Sequence, residues 1–202
     1  MSNFPELLIA SNNEHKAEEI KNILAVSSPN TKVYTLKDKG IEIDVVEDGD
    51  TLEENALKKA EEIFSLGNIP VISDDTGLFV EALRGKPGVY SARYAGEDAT
   101  YEDNCQKVIN ELTDFKLKSS PAYFKTVICL YETRKYHQFF EGVCNGQIIT
   151  ESRGDNGFGY DPIFIPRGYI KTFAELSSDE KNKISHRGKA VQELKKYLLG
   201  EH

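Results

Sequence analysis

The chain has 202 residues, 39% hydrophobic and 29% charged, with 33 acidic against 25 basic side chains and a net charge of −8. This composition describes a soluble globular protein and excludes a disordered chain; at roughly 150 residues per domain, the length suits one compact domain or two intimate lobes. The acidic balance also excludes general binding to nucleic-acid backbone, which needs cationic side chains to displace counterions, so any polyanion bound here would need a local cluster of donors or a metal ion.

Cys105, Cys129 and Cys144 form no CxxC pair and read as reduced, partly buried thiols. Met1 to Glu6 lack a basic region, Leu7 to Ala10 is too short for a signal core, and no run approaches the ~18 apolar residues of a membrane span. A soluble, cytoplasmic protein is expected.

In chain order, Leu7-Leu8-Ile9-Ala10 predicts a buried strand that breaks at Ser11-Asn12-Asn13, residues that favour helix N-caps. A helix follows over 14–24, with Ala17, Ile20 and Leu24 on one face. This order presents unpaired N–H groups and a positive dipole end at the strand tip. A second strand is expected at 32–35, then an acidic loop over 44–50, then a helix over 52–64 with an apolar stripe of Ala56, Leu57, Ala60, Ile63 and Phe64. Val71-Ile72 reads as another buried strand, ending at Ser73-Asp74-Asp75-Thr76-Gly77. The glycine-rich stretch 85–96 reads as a shaped loop, and Asp98 as the cap of a helix over 100–112. Strands are expected at 122–131, 136–145 and 147–149, with Asn145-Gly146 as a hairpin turn between the last two. A helix over 186–199 closes the chain. There is no internal repeat and no low-complexity linker, so the expected class is α/β in a single domain of residues 1–202, with two lobes, a cleft, and a strand-rich second lobe at about 120–165.

Three segments concentrate residue types that do chemistry. In Ser11-Asn12-Asn13-Glu14-His15-Lys16, backbone N–H groups, the Ser11 hydroxyl, the Asn13 amide and the Lys16 ammonium make either a phosphate cradle or an ordinary capped helix with a surface lysine. The Asp74-Asp75 pair places two carboxylates near a core edge, where Mg²⁺ would offset their repulsion and one could take a proton from water; a polar turn is the alternative. Glu47 is the natural partner ligand, or else a solvated loop residue. In the last third, Phe158-Gly159-Tyr160-Asp161 with Lys181, His186 and Arg187 offers a stacking ring and base-edge donors and acceptors; core packing and a solvated helix start are the alternatives.

Six motifs occur in order: Ser11-Asn-Asn-x-x-Lys16, Glu54-Asn55-Ala56-x-x-Lys59-Ala60, Ser73-Asp-Asp-Thr-Gly-Leu78, Pro87-Gly-Val-Tyr-Ser-Ala-Arg93-Tyr-Ala-Gly96, Gly157-Phe-Gly-Tyr-Asp-Pro162 and Ile184-Ser-His-Arg187. Together they closely resemble the inosine/xanthosine triphosphate pyrophosphatase family, the non-canonical purine nucleoside triphosphate pyrophosphatases, from about Leu7 to Leu198. The resemblance implies an elongated two-lobed α/β fold, with a long central mixed sheet, flanking helices and a nucleotide cleft between the lobes. It implies a homodimer that uses Mg²⁺ to cut inosine, deoxyinosine and xanthosine triphosphates into monophosphate and pyrophosphate, cleansing the nucleotide pool.

Position by position, the resemblance implies that Ser11, Asn12, Asn13, Glu14, His15 and Lys16 form the phosphate-side loop, with Lys59 also facing the phosphates. It makes Asp75 the general base and a metal ligand. Thr76 stands where the family usually has serine and keeps the hydroxyl. Phe158, Gly159, Tyr160 and Asp161 would stack on and border the base, and Lys181, His186 and Arg187 would supply its remaining contacts. Some members carry the metal glutamate one position earlier, where this chain has Val46, so Glu47 is taken as the second ligand. Two alternatives lie beside this reading. One is a Maf-type pyrophosphatase of different base preference, whose arginine-rich opening loop is absent here. The other is a non-catalytic nucleotide-binding module.

Overall fold

The computed structural model describes residues 4–25 and 31–201. Its strands are β1 (Glu6–Ala10), β2 (Lys32–Thr35), β3 (Val71–Val80), β4 (Pro87–Gly88), β5 (Ser119–Thr133), β6 (Tyr136–Ile149) and β7 (Phe164–Pro166). Its α-helices are α1 (Glu14–Ala25), α2 (Leu52–Gly67), α3 (Tyr101–Asp114), α4 (Ser178–Ile184) and α5 (His186–Leu199). The sheet runs β2-β1-β3-β5-β6-β7, with β4 on β3. It is mixed: β1 lies parallel to β2 and β3, whereas β3–β4 and β6–β7 are antiparallel. The class is α/β, as expected. Among the described residues no helix is long and apolar enough to cross a membrane.

The chain divides into two compact units. One comprises Met1–Asp75, Thr126–Gly142 and His186–His202; the other comprises Thr76–Lys125 and Val143–Ser185. The strand-rich stretch 120–165 is therefore shared between units, because the long strands β5 and β6 pass from one to the other.

In the first unit the sheet is covered on both faces. Leu7, Ile9, Ile72, Ile128 and Leu130 pack against Ala17, Ile20 and Leu24 of α1 and Ala190, Val191, Leu194 and Leu198 of α5. Leu8, Ala10, Val71, Cys129 and Tyr131 pack against Ala56, Ala60, Ile63 and Phe64 of α2. A strand buried on both faces needs a continuous apolar run, which is why Leu7 to Ala10 shows no polar alternation. The second unit has its own core, in which Leu78, Val80, Phe124, Ile148 and Phe164 meet Val108 and Leu112 of α3 and Phe173.

Three expectations are corrected. First, β3 does not end at Ser73; it continues through Asp74 and Asp75 to Val80. Second, α3 is capped by Thr100 and not Asp98: the Thr100 hydroxyl accepts from Asp103 N at 3.1 Å while the Asp103 carboxylate accepts from Thr100 N at 2.9 Å. That reciprocal box satisfies two N–H groups, where a lone Asp98 would satisfy one. Third, Asn145-Gly146 is no hairpin turn, for β6 runs straight through it. A Cβ on Gly146 would sit 2.3 Å from the Ile165 carbonyl oxygen, so this glycine admits β7. All three cysteines are buried and none forms a disulfide, and burial pushes the Cys105 and Cys129 thiols up to about 12.

Candidate active site

The turn between β1 and α1 is built by its own side chains. The Asn13 amide oxygen accepts from Lys16 N at 3.2 Å and the Ser11 hydroxyl accepts from Asn13 N at 3.3 Å, which orders the first turn of the helix. Asn12 instead donates to the Ile43 carbonyl at 2.8 Å and tethers the turn to the segment before the acidic loop. Glu14 is exposed and pairs with Lys37 at 2.9 Å, and His15 is exposed beside it. Ser11, Asn13 and Lys16 are the half-buried members of the loop.

Because β3 is extended through the aspartates, its alternation turns them to opposite faces. Asp74 meets Lys16 Nζ at 3.4 Å and the Arg187 guanidinium at 3.4 Å; Arg187, 1% exposed, is also paired with Glu19 of α1. Burial would raise the Asp74 carboxyl, but Lys16, Arg187 and Lys59 hold it well below the usual carboxylate range. Asp75 faces α2, where its Oδ2 accepts from Asn55 Nδ2 at 3.0 Å. Burial pushes this carboxyl up, and the Glu47 charge adds to the rise, against the lowering by Lys59, Lys16 and the Asn55 bond. Neighbours in sequence, the two carboxylates have opposite electrostatics. The expected mutual repulsion is relieved at Asp74 by fixed cations, which leaves Asp75 as the acidic group with a reason to meet a metal.

The acidic loop is drawn onto the first two turns of α2. Glu54 accepts from Asp50 N at 2.8 Å, Asn55 Oδ1 accepts from Gly49 N at 2.8 Å, Lys58 pairs with Asp48 at 2.6 Å and Lys59 with Glu47 at 2.5 Å. Each step back along the loop meets a residue further into the helix. The segment 41–50 also alternates: Ile41, Ile43 and Val45 turn towards the α2-side core, and Glu47 is next on that face. Val46 is 67% exposed, so alternation selects Glu47 as the inward carboxylate. Lys59 Nζ also donates to the Asp74 carbonyl at 2.5 Å. Against burial, the charges of Asp75, Glu47 and Asp74 raise its pKa and keep it cationic.

The second unit gathers the aromatic residues. Asp161 Oδ2 accepts from Phe158 N at 2.9 Å and from Lys181 Nζ at 2.7 Å, and that ammonium lies 4.6 Å from the centre of the Phe158 ring. The loop turns on Gly157 (φ 77°) and Gly159 (φ 61°). A Cβ on Gly157 would lie 2.1 Å from Asp161 Oδ2, so the carboxylate reaches the loop backbone only over a glycine. The half-buried Phe158 ring lies 5.9 Å from Tyr101. Tyr160 is buried in the core, its hydroxyl donating to the Ser91 carbonyl at 2.8 Å. Thr76 is half-buried and follows Asp75 in β3.

The structure thus groups Ser11 to Lys16, Glu47, Lys59, Asp74, Asp75 and Arg187 in the first unit, and Phe158 to Asp161 with Lys181 in the second. The donor beside the Phe158 ring is Lys181. Arg187, expected at the base, has its guanidinium engaged with Asp74 and Glu19, and His186 is buried beside it at the start of α5. Gly142 permits that start, since a Cβ there would lie 2.0 Å from the His186 carbonyl oxygen.

The model of the Ham1 family matches residues 7–197 of the chain. The chain belongs to the Ham1 family. Curated relatives named dITP/XTP pyrophosphatase include one from Thermoanaerobacter sp. (strain X514), 50% identical over 194 residues, and one from Caldanaerobacter subterraneus subsp. tengcongensis, 50% identical over 196 residues; each match covers 96% of both chains. Among solved structures, the Ham1 fold here is similar to the Staphylococcus aureus Ham1 protein, with a TM-score of 0.84 and 41% identity over 98% of this chain and 100% of that one. It is also similar to a HAM1 protein from Coxiella burnetii, with a TM-score of 0.87 and 38% identity over 96% and 98% of the two chains. The resemblance carried by the six motifs is borne out.

For this Ham1 family chain, Asp75 and Glu47 fit a hard divalent cation. Both are oxygen donors turned towards Lys59, and Mg²⁺ favours one or two carboxylates with water and phosphate oxygens completing its shell. Among the described residues no group of three or more His, Cys, Asp or Glu side chains could hold a metal ion by itself. Two side chains that matter were not picked out from sequence. Asn55 lay within a quoted motif, but its partners are distant in sequence. Glu19 reads as a surface helix residue until α5 brings Arg187 to it.

Proposed function

We propose that this chain hydrolyses non-canonical purine nucleoside triphosphates (inosine, deoxyinosine and xanthosine triphosphates) to the monophosphate and pyrophosphate. The observation that carries this reading is the cluster of buried Asp75 and Lys59 with half-buried Glu47, in a chain 50% identical to a protein named dITP/XTP pyrophosphatase. Lys16, the N–H groups of the Ser11–Asn13 turn and Lys59 bind the phosphates, and Thr76 adds a hydroxyl. The half-buried Phe158 ring stacks on the base, in the loop held by Asp161 and Lys181. The Lys181 ammonium donates to the 6-oxo group, where adenine would present an amino donor.

Asp75 and Glu47 would hold Mg²⁺, which when bound would offset phosphate charge and polarise the attacking water. The Asp75 carboxylate accepts the proton of that water as its oxygen bonds to the α phosphorus. The bond from that phosphorus to the bridging oxygen breaks, and pyrophosphate leaves. The same reading takes the protein as a cytoplasmic homodimer, which sedimentation equilibrium of the purified chain tests.

Chromatography of an inosine triphosphate digest with Mg²⁺ tests the reaction. Equal amounts of inosine monophosphate and pyrophosphate are expected, and accumulation of inosine diphosphate would overturn the cut at the α phosphorus.

A further inference from the structure

We propose that Asn55 is a positioning residue for the hydrolysis, holding the Asp75 carboxylate and the Glu47 loop in one fixed arrangement; this rests on the reading of Asp75 as proton acceptor. Asn55 is 0% exposed in the first turn of α2. Asparagine is a poor helix former, and an amide taken from water is costly unless both its ends are bonded. Here both are bonded. The oxygen accepts from Gly49 N at 2.8 Å and the nitrogen donates to Asp75 Oδ2 at 3.0 Å.

These partners leave one orientation for the amide, since a backbone N–H needs an acceptor and a carboxylate needs a donor. Gly49 lies two residues beyond Glu47 in the loop. A Cβ on it would come within 2.8 Å of Asn55 Oδ1, so the backbone reaches the amide only because residue 49 is glycine. Glu54, Lys58 and Lys59 grip the same loop, and Lys59 also holds the main chain of β3 at Asp74. Asn55 alone in this set bonds a loop N–H with one end and the Asp75 carboxylate with the other. It thereby sets the direction of the proton-accepting group relative to the loop that carries Glu47.

Two variants separate positioning from packing. Asn55→Asp keeps the size and the acceptor for Gly49 N but sets a carboxylate in place of the donor to Asp75; Asn55→Leu keeps the branched shape, adds bulk and loses both bonds. With inosine triphosphate and Mg²⁺, Asn55→Asp is expected to unfold cooperatively in urea, to lose about tenfold or more in kcat, and to hold KM within about threefold. Asn55→Leu is expected to lose at least as much kcat and to unfold at lower urea. If Asn55→Asp keeps kcat within about twofold of wild type while Asp75→Asn is inactive, Asn55 is only a structural pin and the inference fails alone. A loss of kcat matched by loss of folded protein overturns it in the same way. Should Asp75→Asn itself turn over normally, the reading of Asp75 fails, and with it this inference.

Discussion

The Lys59 ammonium lies 2.5 Å from the Glu47 carboxylate, and the same nitrogen donates to the main chain of Asp74, so one buried lysine joins the acidic loop to the strand of the two aspartates. The pairing brings Glu47 towards Asp75 although 27 intervening residues separate them in sequence. Under the proposed function, the same ammonium serves the phosphates.

Lys59→Met removes the charge that Glu47 and Asp75 share. Breaking a fully buried pair from one side costs about 3–5 kcal/mol, and the partial exposure of Glu47 makes that range an upper limit here. Urea unfolding is expected to show a loss of that order, together with a raised KM for inosine triphosphate. An unchanged urea midpoint would mean that Lys59 carries no such burden.

Asp75→Asn is expected to lower kcat by roughly two orders of magnitude or more, within the range of general-base catalysis. Stability should hold. Burial and the Glu47 charge raise the folded-state pKa of Asp75, so its ionised form costs stability as pH rises above the unfolded value, and a neutral amide removes that cost. Steady-state kinetics beside a thermal melt measure both effects. A folded variant with near-normal turnover at saturating Mg²⁺ would exclude Asp75 as proton acceptor.

Asp74 has the opposite sign. Burial opposes ionisation, but Lys16, Arg187 and Lys59 depress its folded-state pKa below the unfolded value of about 4. The stability it contributes is present above that pH and is lost as the solution becomes more acidic. Asp74→Asn should therefore be less stable than wild type at neutral pH, and the gap should narrow as pH falls below about 4. Urea midpoints across that range decide it; a constant gap would show that the Arg187 pairing does not favour the ionised form.

Phe158→Ala removes the stacking ring while Asp161 still holds Lys181 at 2.7 Å. Base–aromatic stacking is worth about 1–3 kcal/mol, so KM for inosine triphosphate is expected to rise roughly 5- to 160-fold. In wild type, kcat/KM for inosine over adenosine triphosphate should differ at least tens-fold, and Lys181→Met should narrow that ratio. Equal rates of wild type on the two nucleotides would remove Lys181 from base recognition.

The sequence by itself determined the elements whose signals are local. The apolar run Leu7–Ala10, the cap-rich turn after it, the stripe of α2 and the final helix all lie where periodicity and capping chemistry put them, because those forces act within a few residues. Motif order also carried the family. The sequence could not show that β3 runs on through Asp74 and Asp75. Carboxylates are poor strand formers, and the groups facing them, Lys16 and Arg187 at Asp74 and Lys59 and Asn55 at Asp75, make their burial tolerable. In the same way Asn145-Gly146 carries a turn signal, but the close approach of β7 uses that glycine inside a strand. Which of Val46 and Glu47 turns inward follows the packing of Ile41, Ile43 and Val45, whose alternation puts Glu47 on their face. Tertiary structure alone decided which charges meet, since ion pairs and the Asn55 bridge depend on distances between residues far apart in the chain.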